Sequence, residues 1–125
     1  MKKLLIVGLM MITSLFGQLR ELTDENFNKA TARNLVVVEF YATWNEANKV
    51  TLLDEWENFD VKVYRLNIDL YPKIQADNEV VILPTIIFYD DGEEVQRLQG
   101  DMSFTLKTTT DELDEIVEEI LGNKF

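Results

Sequence analysis

Asn45 and Asn48 stand three residues apart between Trp44 and Lys49, in a chain of 125 residues without a single cysteine or histidine. A side-chain amide donates and accepts hydrogen bonds, so such a pair can cap a helix or hold a partner's backbone. It has no thiol, cannot attack sulfur and cannot store two electrons. The missing Cys and His also remove the Ser-His-Asp and Cys-His nucleophile systems and the usual zinc sites. Two-carboxylate hydrolysis is left, with 23 acidic residues available, but no pair of them is grouped in a recognisable cleft. The run Asp90-Asp91-Gly92-Glu93-Glu94 lacks the ligand spacing of an EF-hand and reads as a solvated hairpin tip. No catalytic residue, cofactor or metal is expected.

The elements that position these residues follow from the hydrophobic pattern. Leu19 to Leu22 reads as a short extended segment, and Thr23 as the cap of a helix with Asp24-Glu25 in its first turn. Leu35 to Tyr41 is a nearly continuous apolar run, as in a central strand covered on both faces. Val50, Leu53, Trp56 and Glu57 fall at helical spacing, predicting a helix that ends near Phe59. Val61, Val63, Leu66 and Ile68 mark a second strand, which a right-handed crossover would bring parallel to the first. Tyr71-Pro72 opens a short helix. Thr85 to Tyr89 and Glu94 to Gln99 read as a hairpin turned at Asp91-Gly92. Thr109 and Glu112 form a capping-box pattern ahead of Leu113, Ile116, Val117, Ile120 and Leu121, one apolar helical face that Gly122 terminates.

The order β-α-β-α-β-α-β-β-α, the Trp44 loop after the first long strand and the sequence Leu83-Pro84-Thr85 together resemble the thioredoxin family. The spacings from Asp69 to Pro84, Pro84 to Gly92 and Gly92 to Gly100 match it too, and the resemblance runs from about Leu19 to Leu121. It implies a single α/β domain with a central mixed sheet and helices on both faces. In that family the active site reads Trp-Cys-x-x-Cys-Lys, so Asn45 and Asn48 stand where the two cysteines would be. The resemblance also implies a cis bond before Pro84. It places Trp44, Asn45, Asn48, Leu83, Pro84 and Thr85 on one face, with Gly100 and Asp101 at its edge. Glu39 occupies the place of a buried acid that relays protons to the cysteines, and Arg65 that of a nearby lysine. With no thiol to serve, the pair is expected to be a partly buried ion pair that fixes strand register. There are two departures from the family pattern. The helix after Lys49 is short and lacks a kinking proline, and Met102 to Thr109 looks like an insertion.

The chain carries 23 acidic and 12 basic residues, a net charge of -11, which repels phosphate backbones and anionic headgroups. Nucleic acid and membrane surfaces are therefore not expected partners. Lys2-Lys3 ahead of the apolar run Leu4 to Phe16 reads as a secretory signal cleaved after Gly17, or as a retained anchor. Residues 18–125 then form the domain. Cleavage would remove Lys2 and Lys3 and no acid, moving the charge from -11 to -13. Disulfides would be permitted in an oxidising compartment, yet the chain has none, so its core alone must hold it together.

These readings point to an exported, periplasmic or secreted, redox-inactive module that binds a protein or peptide through the face around Trp44 and Leu83. The alternative is a structural subunit or homodimer that uses the same face as an interface.

Overall fold

The computed structural model describes residues 19–123. The expected signal segment lies outside them. Five strands form one mixed sheet: β1 (Arg20–Glu21), β2 (Leu35–Tyr41), β3 (Val61–Asn67), β4 (Thr85–Asp90) and β5 (Glu93–Gln99), in the order β1-β3-β2-β4-β5. β3 lies parallel to both β1 and β2, while β4 runs antiparallel to β2 and β5 to β4. β2 is the middle strand and every one of its residues is buried, which is why it reads as an apolar run broken only by Glu39.

Alternation along β2 divides the interior in two. Val36, Val38 and Phe40 point to one side, where they meet Ile87, Tyr89 and Leu66, together with Phe27 of α1 (Phe27–Thr31) and Ile74 of α3 (Pro72–Asp77). Leu35 and Val37 point to the other, against Ile86, Phe88, Leu53 of α2 (Leu52–Glu55), and Leu113 and Val117 of α4 (Thr110–Gly122). Each face of the sheet is thus sealed by its own pair of helices, the two-layered burial an α/β domain needs. Phe27 packs edge-on against both Phe40 and Tyr89, with ring centroids 6.2 and 5.9 Å apart.

The hairpin forms where Asp91-Gly92 places it. Asp91 and Gly92 have φ values of 50° and 90°, the pair of left-handed residues that a two-residue hairpin loop requires. Thr109 caps α4 by accepting the Glu112 N–H at 3.1 Å, while the Glu112 carboxylate takes the Thr108 hydroxyl. Two helices differ from expectation. α1 starts at Phe27 with Asn26 at its cap position, after a turn over residues 24–26 in which the Phe27 N–H donates to the Thr23 carbonyl and the Thr23 N–H to the Asn26 side chain. α2 ends at Glu55, well short of Phe59. Trp56 is extended there, and its indole N–H donates to Asp114 of α4 at 2.8 Å. That tertiary hydrogen bond, with a second from Asn58 to the same oxygen, overrides the helical spacing of Val50, Leu53 and Trp56.

Candidate functional site

Because β2 and β3 are parallel and β4 runs against them, the segments after Tyr41 and Asn67, before Thr85 and after Gln99 all converge at one end of the sheet. The Trp44 segment does not enter an α-helix there. Thr43–Asn48 forms a 3-10 helix, in which side chains three apart eclipse one another. Asn45 and Asn48 are therefore stacked, and the Asn48 amide donates to Asn45 Oδ1 at 3.2 Å. Asn45 is only 3% exposed, and its own Nδ2 has no hydrogen-bond partner. Asn48 and Trp44 face solvent, with Trp44 62% exposed. The 3-10 helix is anchored at its start, where Asp69 accepts the Thr43 N–H at 2.9 Å and Asn67 donates to the Thr43 hydroxyl at 3.0 Å.

The facing loop carries a cis peptide between Leu83 and Pro84. The side chains of Leu83, Pro84 and Thr85 are all buried, and the Thr85 hydroxyl donates to the Ile82 carbonyl. Leu83 is therefore a floor to the face and not an apolar contact upon it. Its peptide N–H and C=O make no hydrogen bond among the described residues. Gly100 lies against this loop. Its N–H donates to the Pro84 carbonyl at 2.8 Å, and a Cβ at Gly100 would stand 2.7 Å from the Leu83 carbonyl oxygen. Only a residue without a side chain allows that approach.

Phe104 belongs to this site and was not singled out from the sequence. The segment after Gly100 folds into a tight knot around the Asp101 carboxylate. Ser103 N–H, Thr105 N–H and the Thr105 hydroxyl all donate to it at 2.8 to 3.2 Å. The Thr105 hydrogen bonds, first its backbone and then its hydroxyl, with the Ser103 N–H, hold the Asp101 carboxyl below the usual carboxylate range. The knot sets Phe104 at a φ of 59° and brings its ring edge-on to Trp44, with centroids 5.1 Å apart and planes at 88°. This is the favoured geometry for two aromatic quadrupoles. The large apolar side chains left exposed among the described residues are Trp44, Phe59, Leu70, Val81, Val95, Met102 and Phe104. All but Phe59 and Val95 sit in segments at this one end of the sheet.

Beneath the site lies a buried charge cluster. Arg65 Nε donates to Glu39 Oε1 at 2.7 Å, its Nη1 to Asp54 at 2.7 Å and its Nη2 to the Val50 carbonyl at 2.8 Å. The second Glu39 oxygen accepts the Val50 N–H at 2.7 Å. Every polar atom of the pair is thus directed at β2, β3 or the entry to α2. Burial pushes the Glu39 carboxyl above its ordinary range, against the opposing pull of the Val50 N–H and the guanidinium. Burial also works against the Arg65 charge, but Asp54 and Glu39 together raise its pKa above the ordinary value.

The arrangement offers the exposed Asn48 amide, unbonded Leu83 peptide groups and an aromatic surface. It contains no thiol. A thioredoxin family profile matches residues 18–112. Thioredoxin-2 of Saccharomyces cerevisiae is 32% identical over 87 residues, covering 66% of this chain and 84% of that protein. The thioredoxin of Chlamydia caviae is 36% identical over 80 residues, 61% of this chain and 78% of its own. Among solved structures, the Malassezia sympodialis thioredoxin superposes with a TM-score of 0.62 at 17% identity, covering 82% of this chain and 90% of that one. A mutant thioredoxin from Halobacterium salinarum gives 0.61 at 23%, covering 80% and 89%. By profile, relatives and topology alike, the chain belongs to the thioredoxin family, as a member with no cysteine.

Proposed function

We propose that this chain is an exported, redox-inactive thioredoxin-like module that binds an extended protein or peptide segment, without catalysis, at the sheet end where Asn45 and Asn48 stand. The observation that carries this reading is the exposed Trp44–Phe104 pair beside the Leu83 peptide, whose N–H and C=O are unbonded among the described residues. An added strand can pair with such unbonded backbone groups while a side chain rests on the rings. No covalent step is open to the amides, so affinity rests on these contacts alone and is expected near the micromolar range. Isotope-edited NMR titration with peptides selected on the protein tests the reading. Shifts centred on Trp44, Leu83 and Thr85, lost in Trp44→Ala, support it; shifts confined to α4 place binding elsewhere. Export is checked by intact mass of natively secreted protein, which should lack the segment through Gly17.

A second reading, a subunit or homodimer contact through the same face, is favoured by the gathering of exposed apolar side chains there. Light scattering separates the two, because only the second gives a stable oligomer that Trp44→Ala dissolves.

A further inference from the structure

We infer that the partner segment presents an apolar side chain to the Trp44–Phe104 pair and a lysine or arginine to the adjoining groove. This inference rests on the binding reading above and names the chemistry of its ligand. The apolar half follows from the knot around Asp101. An aromatic ring standing edge-on to its neighbour leaves an open corner, and here that corner is walled by Trp44 on one side and Phe104 on the other. Met102, 97% exposed, extends the apolar surface beyond it. The Asp101 hydrogen bonds hold Phe104 in place before any partner arrives, so little ordering is required on binding.

The cationic half follows from a groove that adjoins the 3-10 helix through Glu46 and the cap residue Lys49. It has a volume of about 580 Å³ and is lined by Glu21, Tyr41, Glu46, Lys49, Asp54 and Arg65, among others. Three carboxylates line it against two cations, and both cations are already engaged. Lys49 lies 3.4 Å from Glu46, and Arg65 is shared between Asp54 and the buried Glu39. Glu21 is left with a neutral partner, the Tyr41 hydroxyl at 2.7 Å, and no cation among the described residues. The groove is thus short of positive charge, and Leu70 at its lining gives the stem of a long basic side chain an apolar wall. A second copy of this chain is disfavoured as the occupant, because its net charge is -11 like that of the first.

Two capped hexapeptides with the same leucine and phenylalanine core, one ended by lysines and the other by glutamates, serve as probes in calorimetry and NMR titration. The lysine-ended peptide is expected to bind about 10-fold tighter at low salt, with the gap closing as salt rises. Glu21→Gln should shrink that preference, whereas Phe104→Ala should weaken both peptides about 10-fold. Phe104→Asn repeats the second test with a residue that tolerates positive φ, so a misfolded loop cannot mimic the result. Equal affinity for the two peptides, or binding unchanged in both Phe104 variants but lost in Trp44→Ala, overturns the inference while leaving the binding reading intact. Absence of any shift around Trp44 with either peptide sinks that reading as well. A stable dimer dissolved by Trp44→Ala would assign the face to a second copy and overturn the inference.

Discussion

Glu39 and Arg65 face each other as direct partners across the β2–β3 ladder, with 2.7 Å between Oε1 and Nε. A one-residue slip of β3 would carry the guanidinium to the other face of the sheet and strand both charges. Arg65→Ala leaves Glu39 buried without its cation. The expected loss is about 3–5 kcal/mol of stability, read as a lower Tm and an earlier urea midpoint. An unchanged Tm would mean that the pair is incidental to the fold.

The acidic limb of the stability curve should be set partly by Asp101 and Asp114. Hydrogen bonds from Thr105 and Ser103 to Asp101, and from Trp56 and Asn58 to Asp114, hold both below the ordinary carboxylate value of 3.8. Their contribution is present above that value and is lost as pH falls through the folded pKa of each. Glu39 acts with the opposite sign. Its pKa is raised above 4.5, so its term favours folding below that value and is lost as pH rises through its folded pKa. Thermal melts across the acid range should show a shallower acid loss for Asp114→Asn, and for Glu39→Gln the removal of the opposing slope.

Replacing both amides by cysteine, Asn45→Cys with Asn48→Cys, should give an internal disulfide under mild oxidant. The two side chains already touch at 3.2 Å within the 3-10 helix. Intact mass should fall by two hydrogens, and the pair should be reducible by dithiothreitol. The unmodified chain should be inert in thiol–disulfide exchange, for want of any thiol. A double variant that stays reduced would show that the loop no longer holds disulfide geometry.

Gly100→Ala tests the seam between the two loops of the site. The new methyl would meet the Leu83 carbonyl oxygen at 2.7 Å, and this neighbour is backbone that cannot swing aside. A loss of about 1–3 kcal/mol is expected, with NMR shifts at Leu83, Pro84 and Thr85. A neutral substitution would mean that the seam has room for a methyl group.

The sheet was largely legible because its signals are local. β2 is apolar but for Glu39, Asp91-Gly92 supplies the residues a tight hairpin turn demands, and Thr109 caps α4 from the position its pattern indicates. The site was only half legible. Trp44, Asn48, Leu83 and Thr85 lie in segments that meet at one end of the sheet, but the orientations of Leu83 and Asn45 depend on packing that no spacing reveals, and both are buried. Phe104 was missed because it meets Trp44 across 60 positions of chain, through a loop whose form depends on a single carboxylate. An Asp two residues before a Ser and four before a Thr was the available signal, since Asp side chains commonly fold such turns on themselves. The helix expected through Phe59 failed for a like reason, as its end is decided by Asp114 on a distant element.

The knot around Asp101 satisfies itself. The Asp101 N–H donates to the Thr105 carbonyl, the Phe104 N–H donates back to Asp101, and the carboxylate takes the rest. The side chains of Met102, Ser103 and Phe104 take no part in those hydrogen bonds. Mutation at these positions can therefore reshape the exposed surface beside Trp44 while the sheet beneath goes on folding as before. The exposed side chains of the loop are thus separable from its hydrogen-bonded frame, and exchanges at Met102 and Ser103 are expected to leave the Tm unchanged.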